Sequence, residues 1–239
     1  MENATESRAM TPALFDALRH ITTGTITTVL LKKGIRRCWI SGPMPLRDGK
    51  RVVGPAFTLR FVPVREDLAT PESWSKPIST RGAIEEMPEG CIAVADAMGV
   101  TTAGIFGDIL CARMVKRRVT GLITDGVVRD VAGVLATDLP VWCAGAAAPP
   151  SVAGLTFVGW QEPIGCGGVA VFPDDVIVAD TDGVVVIPQA MVEEVAKLGP
   201  EQERLEAWIV SEVERGEKLP GLYPPNDAAK GRYEASKRR

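Results

Sequence analysis

The period of the apolar positions changes several times along the chain, and each change marks an element. Residues 11–33 read as helical. "TPALFDALRH" is followed by a break and by "TTGTITTVLLKKG", with Thr25 as the N-cap and Gly34 as the stop. From "RRCWISGPMPL" to "RVVGPAFTLRFVPV" apolar residues alternate between Gly-Pro turns, as strands do. Residues 65–90 begin polar and proline-broken, then close on a short helical stretch and a turn at Pro88-Glu89-Gly90.

The next part is the most regular. "CIAVADAM" (91–98) reads as a strand, 107–118 as a helix, "GLITDG" (121–126) as a strand, and "RDVAGVLAT" opens another helix before "LPVWCAG". This β-α-β-α-β alternation predicts an α/β fold with parallel strands and right-handed crossovers. Residues 165–188 differ. Their short β-branched runs and Asp-Gly or Pro-Asp-Asp turns predict an antiparallel meander or small barrel-like sheet, with Asp180 and Asp182 in a structural hairpin. A helix at "QAMVEEVAKL" and a second over 201–215, stopped by Gly216, come before the polar stretch "NDAAKGRYEASKRR". The expected organisation is a single domain over 1–200. Residues 201–239 form a C-terminal helix and a polar tail that is loose or packs on a neighbouring subunit.

Composition narrows the function classes. In 239 residues, 46% hydrophobic and 24% charged, the chain has enough material for a sizeable core. A net charge of −3 argues against a general nucleic-acid binder. No stretch approaches the roughly 18 apolar residues of a spanning helix, and the start shows no secretory pattern. The five cysteines (Cys38, Cys91, Cys111, Cys143, Cys166) are odd in number and widely spaced, as expected of reduced thiols in a cytoplasmic protein. His20 is the only histidine, which argues against a zinc site and against imidazole-based nucleophilic catalysis.

The candidate chemistry lies in "GDILCARMVKRRVTGLITDGVVRD", residues 107–130. A helix from Asp108 to Arg118 rises about 16 Å at ~1.5 Å per residue. The returning strand covers a similar distance at ~3.3 Å per residue. The chain goes out and comes back by matched lengths, so Arg129 and Asp130 return beside Asp108, at the edge where open α/β sheets bind ligands. The first-turn amides of Gly107, Asp108, Ile109 and Leu110 and the positive helix end suit an anion. Arg129 offers a planar fork for a carboxylate. Two aspartates without imidazole or thiolate suit a hard cation, Mg²⁺ or Mn²⁺. Read singly, the same residues are ordinary: Asp108 a helix-start charge, Arg129-Asp130 a surface pair, Asp125-Gly126 a turn. The run "KRR" at 116–118 reads as a helix C-terminus complementing its dipole.

"GD" followed after a 20-residue gap by "RD" resembles the motif of the RraA-like family, which includes divalent-metal-dependent class II pyruvate aldolases. "VVGPAFTLR", "MPEGCIAVAD" and "GGVAVFPDDVIVADTDGVVVIP" extend the resemblance in family order over roughly residues 20–190. It implies a layered α/β sandwich related to swivelling phosphohistidine domains, assembled as a homotrimer or hexamer. It also implies that Asp130 binds Mg²⁺ or Mn²⁺ directly, that Asp108 holds it through water, and that Arg129 binds the pyruvyl group and stabilises its enolate. The amides from Gly107 to Leu110 would receive the carboxylate of a small keto acid. Glu203 and Glu206 are candidates for a glutamate contributed by a neighbouring subunit.

The implied activity is cleavage of a 4-hydroxy-2-oxo acid, with oxaloacetate decarboxylation at the same site. Two alternatives accompany it: a non-catalytic regulator that binds an RNA-degrading endonuclease, and a lyase for a sugar-acid-derived keto acid. The Asp108 and Asp130 pair favours catalysis. No glycine-rich loop of the S-adenosylmethionine type supports a methyltransferase.

Overall fold

The computed structural model describes residues 11–237. Helix α1 (Pro12–Arg19) opens with proline in its first turn, and the Thr11 hydroxyl caps it by accepting the Leu14 amide. Helix α2 (Thr23–Lys32) is capped by Thr22, whose hydroxyl accepts the Thr25 amide, so the helix starts earlier than Thr25. The cause is tertiary: the Glu203 carboxylate accepts both the amide (2.7 Å) and the hydroxyl (2.8 Å) of Thr22, which pins that residue outside the helix. Gly34, at φ +87°, follows the end of α2 as expected.

The strands are β1 (Trp39–Ile40), β2 (Met44–Pro45), β3 (Val52–Pro63), β4 (Ile92–Asp96), β5 (Gly121–Thr124), β6 (Val141–Cys143), β7 (Leu155–Trp160), β8 (Val176–Asp180) and β9 (Gly183–Ile187). Helices α3 (Thr80–Glu86), α4 (Asp108–Lys116) and α5 (Val131–Ala136) are the crossovers between the parallel strands β3, β4, β5 and β6. β8 and β9 form the expected antiparallel hairpin, extended by β1. β3 is long enough to belong to two sheets. Its residues 52–55 pair with β8, 56–60 with β4 and 59–63 with β7. Strand β7 lies outside the elements expected from sequence.

Four layers result. Ile92, Val94, Ile123 and Trp142 of the parallel sheet meet Ile40, Ile177, Val184 and Val186 of the antiparallel sheet in a buried central core. The other face of the parallel sheet packs on α3, α4 and α5 through Phe57, Leu122, Cys111, Met114 and Val134. The other face of the antiparallel sheet packs on α1 and α2 through Leu18, Ile26, Leu30 and Val178, with Val192 and Val195 of the next helix. The fold is therefore the layered α/β sandwich expected. Asp180 ties its layers: it accepts the amide (2.9 Å) and hydroxyl (2.7 Å) of Thr23, and Arg51 pairs with it at 3.1 Å. Its role is structural, as the hairpin reading has it.

Two expectations about the C-terminal part differ from the structure. Residues 192–214 form one helix, α6 (Val192–Glu214), that runs through Pro200. Gly199 lies so close to Ile21 that a Cβ would stand 2.5 Å from its Cδ1. Packing against α1 and α2 keeps helical a segment whose Gly-Pro pair locally favours a break. The polar tail also forms a helix, α7 (Asp227–Ser236), docked on α6 of its own chain. The Tyr233 ring lies 5.5 Å from that of Trp208, and its hydroxyl donates to Glu201 at 3.1 Å. No helix among the described residues is long and apolar enough to cross a membrane. Residues 1–10, where the expected lack of a secretory pattern falls, lie outside the described residues.

Candidate active site

The parallel strands end at one edge, and the chain continues them past the regular sheet. The Ile105 amide donates to Val127 at 2.9 Å, the Arg129 amide to Phe106 at 2.9 Å, and the Val128 amide to Gly145 at 3.1 Å. These bonds carry the segments after β4 and β5 side by side to Asp108 and Asp130. Asp108 is the first residue of α4, and Asp130 is the N-cap of α5.

The two helix starts interlock. A Cβ on Gly107 would stand 2.7 Å from Asp130 Oδ2, and one on Gly133 would stand 2.6 Å from Asp108 Oδ2. Each carboxylate thus lies over a glycine of the other helix start, and the absent Cβ atoms make the room. Arg129 Nε donates to Asp130 Oδ2 at 2.9 Å, with both side chains partly open to solvent at 36% and 44% exposure. The Arg129 backbone is held against Gly104, where a Cβ would stand 2.7 Å from Arg129 Cβ. Asp130 adopts φ +52°, a left-handed conformation that aspartate tolerates better than most residues.

Of the four amides expected to receive an anion, that of Ile109 donates to Asp108 Oδ1 at 2.7 Å. Those of Gly107, Asp108 and Leu110 have no hydrogen-bond acceptor among the described residues and stand as first-turn donors. The donor set suits a hard divalent cation. Asp108 Oδ2 and Asp130 Oδ1 take part in no hydrogen bond among the described residues. No group of three His, Cys, Asp or Glu side chains gathers among them either. A cation here would keep water or substrate oxygen in most positions, which is how Mg²⁺ binds.

Glu203 and Glu206 stand elsewhere in their own chain. Glu203 holds Thr22, and Glu206 accepts from Gln202 at 2.7 Å. Burial first, and then the nearby Asp108 charge, push the Cys111 thiol beside the site up to about 12, which keeps it protonated at neutral pH. Asp125, read from sequence as a turn residue, is a buried staple. Its carboxylate accepts the Ala97 amide at 2.8 Å and the Gly167 amide at 3.0 Å, so it ties the end of β5 to the end of β4 and to the 165–168 turn. Burial raises its pKa. The "TDG" triplet in a strand end was its one sequence signal. Gly104 and Gly133 gave none.

Fold and site together define a layered α/β protein with a carboxylate pair and an arginine at the carboxyl edge of its parallel strands. The chain belongs to the RraA-like family, described as Aldolase/RraA, which matches residues 4–186. It is 30% identical over 194 residues to the protein DlpA of Legionella pneumophila, a match covering 81% of this chain and 30% of DlpA. It is 34% identical over 152 residues to a Halalkalibacterium halodurans protein named "Putative 4-hydroxy-4-methyl-2-oxoglutarate aldolase", covering 63% of this chain and 66% of that one. The chain thus spans less than two thirds of both curated relatives. Among solved structures it resembles Streptomyces coelicolor RraAS2, described as an unusual member of the RNase ES inhibitor RraA protein family. That likeness has a TM-score of 0.75 and 33% identity over 83% of this chain and 96% of the other.

Proposed function

We propose that the chain is a divalent-metal-dependent carbon–carbon lyase that cleaves a 4-hydroxy-2-oxo acid to pyruvate and a carbonyl fragment. The observation that carries this reading is the interlocked placement of Asp108 and Asp130 beside Arg129. A surface pair alone has no need of two glycines that make room for two carboxylates.

Asp130 would hold Mg²⁺ or Mn²⁺ directly and Asp108 through water, and the cation would supply a Lewis acid and an acidified water beside the substrate. The free amides of Gly107, Asp108 and Leu110 receive the substrate carboxylate at the helix start. Arg129 turns its guanidinium from Asp130 to the pyruvyl group. When the C3–C4 bond breaks, its electron pair moves onto the C2 oxygen as an enolate, and the Arg129 charge stabilises that oxygen. The C4 hydroxyl proton leaves to water, and a proton returns to C3 to give pyruvate. Oxaloacetate reaches the same enolate by losing CO₂. A substrate derived from a sugar acid would use the same steps. The half-open site suits cover by a second copy in a homotrimer or hexamer, and the expected compartment is cytoplasmic.

The test is pyruvate release from 4-hydroxy-4-methyl-2-oxoglutarate and oxaloacetate, with Mg²⁺ and with chelator. Metal-dependent turnover that disappears in Asp130→Ala supports the lyase. A folded, metal-supplied protein inactive on every 4-hydroxy-2-oxo acid tried would remove this reading. The second reading, a regulator of an RNA-degrading endonuclease, rests on the likeness to RraAS2. Inhibition of such a nuclease that survives in Asp130→Ala would support it.

A further inference from the structure

Asp125 directly follows β5 and is 7% exposed, yet the chemistry proposed above has no use for its charge. A carboxylate taken out of water is costly unless its oxygens find donors. Burial pushes its pKa up, and Asp96 at the end of β4 adds a like charge. The groups around it explain why a carboxylate stands there. One oxygen accepts the Ala97 amide and the other the Gly167 amide, so both partners are donors. An ionised aspartate accepts on both oxygens, whereas asparagine would turn an NH2 group towards one of the two amides.

Asp96 grips the same two turns. Its carboxylate accepts the Met98 amide at 2.9 Å and the Gly165 amide at 3.3 Å. The 165–168 turn is in turn anchored beside β1: the Ser41 amide donates to Gly167 at 3.1 Å, and a Cβ on Gly167 would stand 2.4 Å from the Ser41 oxygen. This clamp lies at the base of the candidate active site. The Val100 amide donates to Ala97 at 3.0 Å, and a Cβ on Gly126 would stand 2.6 Å from Ala97 Cβ and 3.2 Å from the Val100 oxygen. The segment leading to Asp108 and the segment leading to Asp130 therefore touch here. Only beyond this point do the bonds from Ile105 and Arg129 run them side by side. Their register at the base sets how the two carboxylates meet at the top.

We propose that Asp125 is a positioning residue of the candidate metal site: it locks the segment bearing Asp108 against the segment bearing Asp130 and so fixes the spacing of the two carboxylates. The proposal rests on the part of the lyase reading that gives this pair a divalent cation.

The experiment is calorimetric titration of the full chain with Mn²⁺, with pyruvate release measured alongside, for wild type, Asp125→Asn, Gly126→Ala and Asp175→Asn. Gly126→Ala forces the same two segments apart with the carboxylate intact, so the role is read even where Asp125→Asn does not fold. Asp175 is the control. It is equally buried and accepts the Phe172 amide at 2.9 Å, but it lies at the opposite end of the parallel sheet. There its backbone oxygen accepts the amide of Ala56, the partner of Ile92 at the start of β4. We expect Asp125→Asn and Gly126→Ala to bind one Mn²⁺ per chain with Kd raised about tenfold or more, the scale of losing an outer partner of a metal ligand. Asp175→Asn should keep the wild-type Kd. Partial unfolding would lower the number of sites and leave Kd unchanged, which separates lost folding from lost positioning.

An unchanged Kd in Asp125→Asn or in Gly126→Ala, at one site per chain, would overturn the positioning role and leave the lyase standing. A Kd raised equally in Asp175→Asn would overturn it too, in favour of a general loosening of the fold. A Kd raised in the first two variants alone, with no pyruvate from wild type, would remove the lyase and keep the positioned carboxylate pair. A wild type that binds no Mn²⁺ would overturn both.

Discussion

Asp108 and Gly133 are packed so closely that a methyl group on Gly133 would stand 2.6 Å from both Cβ and Oδ2 of Asp108. Gly133 lies inside helix α5, where glycine is ordinarily a cost. It is the space under a carboxylate that the glycine supplies.

That relationship predicts the outcome of Gly133→Ala. On helix propensity alone the change would stabilise the protein by about 1 kcal/mol. The clash should instead displace Asp108, lowering Mn²⁺ affinity and pyruvate release at least tenfold without raising the melting temperature. A more stable protein with unchanged Mn²⁺ affinity would show that Asp108 does not depend on Gly133.

Asp130 allows stability and function to be separated. At φ +52° a glycine bears no steric cost, while a Cβ-bearing residue such as alanine costs roughly 1–2 kcal/mol. Asp130→Gly should hold or gain stability in urea and lose about 100-fold or more in turnover. Asp130→Ala should lose both. Equal urea midpoints for the two variants would contradict the strain argument.

Glu201 governs the acid side of the α6–α7 contact. Hydrogen bonds from Lys237, then Arg204, and also from Tyr233, hold its pKa at about 2, below the ordinary 4.5. A depressed carboxylate contributes stability that is complete above pH 4.5 and is lost as pH falls through about 2. In Glu201→Gln the melting temperature should therefore fall less steeply between these values, and α7 should be cut sooner by protease at neutral pH. Parallel pH profiles for the two proteins would sink this account.

The buried thiols should be silent. Cys91 and Cys111 are each pushed up to about 12, by burial above all. Native protein at pH 8 should resist iodoacetamide at both positions, as read by mass spectrometry, and label fully in denaturant. Rapid native labelling of Cys111, one turn from Asp108, would reopen thiol chemistry at the site.

The alternation from Cys91 to Cys143 was legible because period, turn residues and element length are local properties. The return of Arg129 and Asp130 to Asp108 follows from matching one helix to one strand. The β8–β9 hairpin and the meeting of Asp108, Arg129 and Asp130 at one edge were readable on the same ground, whereas the roles expected of those residues, and Glu203 and Glu206 as candidates, came from the family resemblance.

Tertiary contact decided the rest. Glu203 pins Thr22 and so sets the start of α2. Packing on Ile21 carries α6 through Pro200, and Glu201 with Trp208 folds a polar tail into α7. Gly104 and Gly133 became meaningful only when the side chains above them were placed. Each depends on residues distant in the chain, and a local pattern holds no record of which distant surface will meet it. Local chemistry specified which residues return to one edge, and long-range packing decided how close they stand and what space they leave.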